Sequence, residues 1–227
     1  MDFTLRPWRK SDLKFLLKYA DNPRIAMNLT DMFPYPYTKQ SGKRFLKMAR
    51  SGDPVRIFAI EIDGEAVGSI GLFPLSDIRR NNAEIGYWLA EPFWGKGIMT
   101  EAVKQMVEYG FKTFDINRIY AGTFGRNTGS QRVLEKAGFS RVILARELSL
   151  DQIREFANQT SLQLECFVHG ALCVGMSGQC YMSLASGERS GNRGVCAQPC
   201  RKLYDLTDSD GNSIIRQKHL LSLKDLD

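Results

Sequence analysis

At 227 residues, 43% hydrophobic and 25% charged, the chain has the make-up of a soluble globular protein, with room for one large domain or two small ones. No run of about 18 apolar residues occurs, which excludes a membrane-spanning helix. The opening Met1-Asp2-Phe3-Thr4-Leu5-Arg6 lacks the basic start and apolar run of a secretory leader. The expected setting is the cytoplasm, where thiols stay reduced.

The net charge of +6 is unevenly spread: 21 Lys+Arg face 15 Asp+Glu through residue 140, and 10 face 10 beyond it. The basic excess fits a phosphorylated ligand or a nucleic-acid partner, and it equally fits a solvated surface. All five cysteines lie after residue 165. Both asymmetries point to two segments of different origin.

In the first segment, Phe3–Arg6 reads as a strand. A helix follows, capped by Ser11-Asp12 and running to Ala20, with Leu13, Leu16 and Leu17 on one face. Residues 21–38 read as irregular, because Pro34 and Pro36 exclude a regular helix or central strand. The aromatics of Met32–Tyr37 are placed either to wall a ligand site or to pack on the core. Ser41–Arg50 is a second helix. Arg56–Ile62 and Ala66–Pro74 are strands joined by the hairpin signal Asp63-Gly64. A strand over Ala83–Ala90, a helix over Ile98–Phe114, a strand over Arg118–Thr123 and a helix over Asn127–Ala137 follow, the last closed by Gly138. This order predicts an α/β fold with a mixed sheet.

The organising stretch is Glu91-Pro92-Phe93-Trp94-Gly95-Lys96-Gly97-Ile98-Met99-Thr100, where strand becomes helix. Glycines there let the backbone turn tightly, and the helix start leaves N–H groups without partners at a positive dipole end. Together they form a phosphate cradle. The Gly-x-Gly spacing matches neither the dinucleotide fingerprint nor the eight-residue phosphate loop.

Glu84-Ile85-Gly86-Tyr87-Trp88-Leu89 with Phe93–Ala102 resembles motif A of the GNAT N-acetyltransferases. Asn127-Thr128-Gly129-Ser130 with Val133–Phe139 resembles their motif B. The resemblance covers residues 2–143, nearest the branch that acetylates ribosomal-protein N-termini and related amines. It implies a GNAT fold, with a mixed, splayed central sheet and flanking helices, and acetyl-CoA as cosubstrate. Leu89 and Ala90 would pair with the pantetheine arm. Trp94, Gly95, Lys96, Gly97, Ile98, Met99 and Thr100 would line the pyrophosphate site, and Asn127 would touch the pantetheine near the thiol. The acceptor would be a primary amine, on a protein N-terminus or a small molecule. An ammonium cannot attack a thioester, so a base is needed. The resemblance offers Glu84, which otherwise reads as a surface strand residue. Many relatives carry a tyrosine seven residues after the motif B asparagine; here that position is Leu134, and Ser130 is the polar substitute for protonating the thiolate. Pro92 replaces a usual Gln or Arg, at the loss of one pyrophosphate contact.

In the second segment, Val142–Ala145, Ser149–Ala157 and Leu162–Val168 predict strand, helix and strand, a βαβ unit. Cys173, Cys180, Cys196 and Cys200 follow in glycine-rich surroundings. Four reduced thiols there read as a metal site, with a [4Fe–4S] cluster possible, or as structural thiols in loops. Cys166, between apolar residues on a strand, reads as buried, and His169 as a structural hydrogen-bonding residue. Arg141–Leu150, Phe167–Cys173, Ser177–Cys180, Asn192–Gly194, Cys196–Arg201 and Leu221–Leu226 resemble the collagenase-like peptidase family. Members with these cysteines resemble iron–sulfur proteins that support hydroxylation of RNA bases or a quinone precursor. That implies a partial (β/α)-barrel fragment, not active alone.

The domains expected are thus 1–143 and 144–227, joined as a fusion. Val142–Ala145 could also begin the last strand pair of the acetyltransferase sheet. The alternatives to an N-acetyltransferase are an iron–sulfur protein acting on RNA and an inactive hybrid of the two.

Overall fold

Asp63 and Gly64 both adopt left-handed backbone angles, φ 49° and 79°, the requirement of a tight two-residue hairpin. That hairpin sits at the centre of the first sheet. In the computed structural model, which describes residues 2–169, 173, 175–187, 189–193 and 195–221, the chain divides into two units, Met1–Phe139 and Ser140–Asp227.

The first unit runs β1 (Thr4–Pro7), α1 (Leu13–Tyr19), α2 (Pro23–Ala26), α3 (Lys39–Ala49), β2 (Ile57–Ile62), β3 (Glu65–Pro74), β4 (Asn82–Leu89), α4 (Ile98–Thr113), β5 (Arg118–Tyr120) and α5 (Thr128–Lys136). The sheet order is β1-β2-β3-β4-β5. The first four strands pair antiparallel and β5 pairs parallel to β4. β3 is buried on both faces from Ala66 to Leu72. Ile60, Ile70, Leu72, Val103 and Met106 pack in one cluster with α4. Trp8, Leu16, Leu46 and Trp88 form a second cluster with α1 and α3. The sheet therefore has helices on both faces. Helix α4 lies close: a Cβ at Gly110 would stand 2.4 Å from Leu72 Cδ2, so a larger residue there would force the buried Leu72 side chain to shift.

Several elements differ from the sequence expectation. A 3₁₀ turn at Lys10–Asp12 precedes α1. Asp12 does not simply cap; it is buried and takes Arg6 Nη1 at 2.7 Å, Arg6 Nη2 at 2.9 Å and the Arg9 amide at 2.8 Å. Residues 21–38 contain the short helix α2, capped by Asn22, whose Oδ1 accepts the Arg24 amide at 2.8 Å, with Pro23 in its first turn. In the aromatic loop Phe33 packs 5.1 Å from Tyr37 and 5.9 Å from Trp88 between ring centroids. Met32 and Tyr35 are exposed. The loop thus packs part of its aromatics and exposes the rest.

The second unit holds β6 (Arg141–Ile143), α6 (Leu150–Gln159), β7 (Gln163–Glu165), α7 (Met182–Gly187), β8 (Tyr204–Thr207) and β9 (Ser213–Lys218). The break after Phe139 puts residues 140–143 in this unit, ahead of the expected boundary. β6 and β7 pair in parallel and β8 and β9 form an antiparallel hairpin. The βαβ unit is present, with Ser149 and Gln152 forming a capping box on α6. β6 does not extend the acetyltransferase-like sheet, as one reading of Val142–Ala145 had it, because its partner is β7. Of the expected barrel fragment, the described residues show two parallel strands. Cys166 is exposed rather than buried, since β7 ends at Glu165 before reaching it. Gly170–Leu172, Gly194 and residues 222–227 of the quoted motifs lie outside the described residues.

Candidate functional site

The site begins where two strands part. β4 and β5 pair only at Asn82↔Arg118, Ala83↔Ile119 and Glu84↔Tyr120. β4 continues to Leu89, still paired to β3 through Gly68↔Leu89, while β5 stops at Tyr120. From Ile85 to Leu89 the outer edge of β4 has no strand partner among the described residues. The backbone on that edge is open to a ligand lying along it.

Glu84 stands at the closed apex of this opening and is exposed. Tyr120, its register partner, has a phenol whose pKa is raised, first by burial and then by the Glu84 charge. Residues three apart on a strand face opposite sides. Glu84 and Tyr87 therefore flank the parted edge from opposite faces of the sheet. Tyr87 Oη lies 2.8 Å from Ser130 Oγ, reaching across the gap to the first turn of α5. Burial raises the Tyr87 pKa, partly offset by the Ser130 hydrogen bond.

Asn127 caps α5: its Oδ1 accepts the Ser130 amide at 3.2 Å. Leu134, where many relatives carry tyrosine, is 8% exposed and offers no hydroxyl. At the end of β4, the Ala90 amide donates to the Val67 carbonyl at 2.8 Å. The alternation of an antiparallel pair then turns the polar groups of Leu89 toward the parted edge. The Trp94 indole N–H donates to the Leu89 carbonyl at 2.6 Å.

The glycine turn follows. A 3₁₀ turn at Glu91–Phe93 closes with the amides of Phe93 and Trp94 donating to Ala90 and Glu91 at 3.0 and 3.1 Å. The next amide with an acceptor is Glu101, donating to Gly97 at 3.2 Å. Between them the six amides of Gly95, Lys96, Gly97, Ile98, Met99 and Thr100 have no protein acceptor among the described residues. Gly95 and Gly97 take φ 73° and 77°, and a Cβ on either would meet nothing within 4 Å. The glycines are thus required by the left-handed turn, and the space above it is open. Lys96 lies with Nζ 5.4 Å from the centre of the Phe93 ring, exposed beside the turn.

A cavity of about 310 Å³ adjoins Trp94, lined by Arg24, Met27, Asn28 and Arg126. The Arg24 guanidinium pairs with Glu91 and lies 5.4 Å over the Trp94 ring. Asn22 also reaches Glu91, at 2.9 Å, and Arg126 donates to the Met27 carbonyl. Two guanidiniums beside a row of free amides suit an anionic ligand. Tyr87, Arg24 and Arg126 escaped the sequence reading. Arg126 sits immediately before the motif asparagine, the one signal that could have drawn it in. Tyr87 reads as one more apolar strand residue until α5 is placed beside it.

In the second unit, the described thiols are not gathered. Cys173 and Cys196 are exposed, Cys180 and Cys200 half-buried. No three His, Cys, Asp or Glu side chains among the described residues come together to hold a metal. The Cys180 amide donates to Asn192 Oδ1 at 2.9 Å, and the Gln198 amide to Cys196 Sγ at 3.3 Å.

Residues 2–140 match the family model described as an Acetyltransferase (GNAT) domain, and residues 122–227 match the one described as Peptidase family U32. The chain is 32% identical over 148 residues to the uncharacterized N-acetyltransferase p20 of Bacillus licheniformis, covering 63% of this chain and 82% of that protein. It is 50% identical over 102 residues to the 23S rRNA 5-hydroxycytidine C2501 synthase of Escherichia coli strain K12, covering 45% of this chain. The chain spans only 16% of that enzyme's own length, and no more than 47% of several other curated relatives. The solved structure of Mycobacterium smegmatis RimJ in complex with CoA-disulfide superposes with a TM-score of 0.55 at 28% identity, over 66% of this chain and 76% of that one.

Proposed function

The chain belongs to the GNAT acetyltransferase family, and on that premise we propose that it transfers the acetyl group of acetyl-CoA to a primary amine by direct attack. The observation that carries this reading is the run of six amides, Gly95 to Thr100, without a protein acceptor at the start of α4, beside the parted edge of β4. A diphosphate on those amides would gain hydrogen bonds and the positive end of the helix dipole. Lys96, Arg24 and Arg126 add cationic groups around it. The CoA-disulfide carried by the RimJ neighbour supports the same class of ligand.

In this reading the pantetheine arm lies along Leu89, and its thioester reaches the gap between Glu84 and the Tyr87–Ser130 pair. Glu84 removes a proton from the ammonium. The amine nitrogen attacks the thioester carbon, and the oxyanion takes an N–H from the open β4 edge, Leu89 being the group that faces it. The carbon–sulfur bond then breaks, and the Ser130 hydroxyl hydrogen-bonds to the departing sulfur. The acceptor is a primary amine on a protein N-terminus or a small molecule, with Arg24, Met27 and Asn28 of the α2 region lining the cavity at Trp94. The alternative, an RNA-directed iron–sulfur role for the second unit, has the kinship of residues 122–227 behind it.

The test is calorimetric titration of the full chain with acetyl-CoA. One-to-one saturable binding is expected, with Gly97→Val lowering affinity at least tenfold by filling the open space and straining a left-handed turn. Normal affinity in that variant would sink the cradle. With an acceptor in hand, Glu84→Gln is expected to lower turnover on the order of a hundredfold with acetyl-CoA affinity unchanged. A wild-type rate would remove Glu84 as the base.

A further inference from the structure

We propose that Tyr87 is a positioning residue for acetyl transfer: its hydroxyl holds the Ser130 hydroxyl so that the Ser130 O–H points at the leaving sulfur. This deepens the acetyltransferase reading and rests on it.

A serine in the first turn of a helix ordinarily turns among three rotamers or bonds back to the backbone. Ser130 is instead held at both ends. Its amide is taken by Asn127 Oδ1 at 3.2 Å, and its hydroxyl lies 2.8 Å from Tyr87 Oη. The Ser130 carbonyl, 3.5 Å from the same phenol, is too far to compete.

Each hydroxyl carries one proton. Within the pair either can donate, but a sulfur anion on the far side of Ser130 decides the direction. Only the order Tyr87 to Ser130 to sulfur gives every acceptor a proton. Burial of the phenol keeps it protonated at neutral pH and so keeps it a donor. Donation into Ser130 Oγ also polarises the Ser130 O–H and strengthens its bond to a thiolate. No proton leaves Tyr87 in this scheme. The bond to sulfur breaks with its electron pair on sulfur, and the proton that neutralises the thiolate is one shed by the attacking amine.

The placement follows from the splay. Tyr87 lies on the stretch of β4 that β5 no longer covers, which leaves its ring free to span to α5. The buried Leu134 brings no hydroxyl, so the Tyr87–Ser130 pair is the hydroxyl couple that bridges β4 and α5 among the described residues.

The ring could also serve merely as a strut, and Tyr87→Phe separates the two roles because it keeps the ring and removes only the hydroxyl. The positioning role predicts a fall in kcat of about tenfold, with acetyl-CoA affinity by calorimetry within twofold of wild type. Ser130→Ala, on the half-buried first turn of α5, should fall by a similar factor, and it tests the pair from the other side should Tyr87→Phe not fold. The double variant should be no slower than the slower single variant, since the two hydroxyls act as one unit. A wild-type kcat in either single variant, or a double variant slower by the product of the two factors, overturns the positioning role. A wild-type chain that acetylates no amine overturns the acetyltransferase reading and this proposal with it. Normal wild-type turnover with an unaffected Tyr87→Phe overturns this proposal alone.

Discussion

The two units obey the same local rules and end in opposite states of burial. The first unit encloses Ile60, Ile70, Leu72 and Val103 completely, with helices on both faces of a five-stranded sheet. In the second, the described buried residues reduce to Leu144, Ser183, Ser190 and Pro199. Its elements are nonetheless well signalled: α6 has a full capping box, and β6 and β7 pair in the register of a βαβ unit. Parallel strands need cover on both faces, and one ten-residue helix cannot supply it. Phe156 on α6 and Ile143 on β6 each remain 47% exposed. Secondary structure is thus a local outcome, whereas a core requires enough layers to close.

The largest expected effect lies in native-state hydrogen exchange of the full chain. Amides of β2, β3, β4 and α4 should exchange only through global unfolding, and amides of β6, β7, β8 and β9 roughly a thousandfold faster. Comparable protection in both units would mean that the second is stabilised by something its described packing lacks. Next, Leu72→Ala should cost about 3 kcal/mol by denaturant unfolding, while Val142→Ala, on a partly exposed strand, should cost less than about 1 kcal/mol. Equal costs would erase the contrast.

The smallest effect is set by pH. Burial pushes the Asp12 carboxyl up, but the Arg6 guanidinium and the Arg9 amide outweigh it and hold its pKa below the ordinary value of 3.8. A carboxyl with a lowered folded pKa stabilises the fold fully above its unfolded value and loses that contribution as pH falls toward the folded one. Stability of the first unit should therefore decline below about pH 4. Asp12→Asn should flatten that acid limb, and the change in stability between about pH 7 and pH 3 should shrink relative to wild type. An unchanged acid limb in Asp12→Asn would assign the decline to other carboxylates.

Much of the first unit was legible because its signals are local and strong. Asp63-Gly64, the β-rich runs of β2 and β3 on either side of it, Gly97 before α4 and Gly138 after α5 each act within a few residues. The short helix α2 was not legible, because Pro34 and Pro36 colour the whole of 21–38 and four residues show no periodicity. The end of β5 at Tyr120 was overrun by three residues, since nothing in Ala121-Gly122-Thr123 records that a neighbouring strand has turned away. Cys166 was misplaced because an apolar neighbourhood reads as burial only if another layer covers it.

The sequence by itself determined most elements of the first unit, the β6–α6–β7 succession, the glycine turn and both family resemblances, because these depend on residues close together in the chain. Tertiary structure alone decided two things. β6 joined β7 rather than the first sheet, and Tyr87 met Ser130. Each depends on which distant segment occupies a given space, and nothing local signals a meeting across the separation of 43 positions from Tyr87 to Ser130.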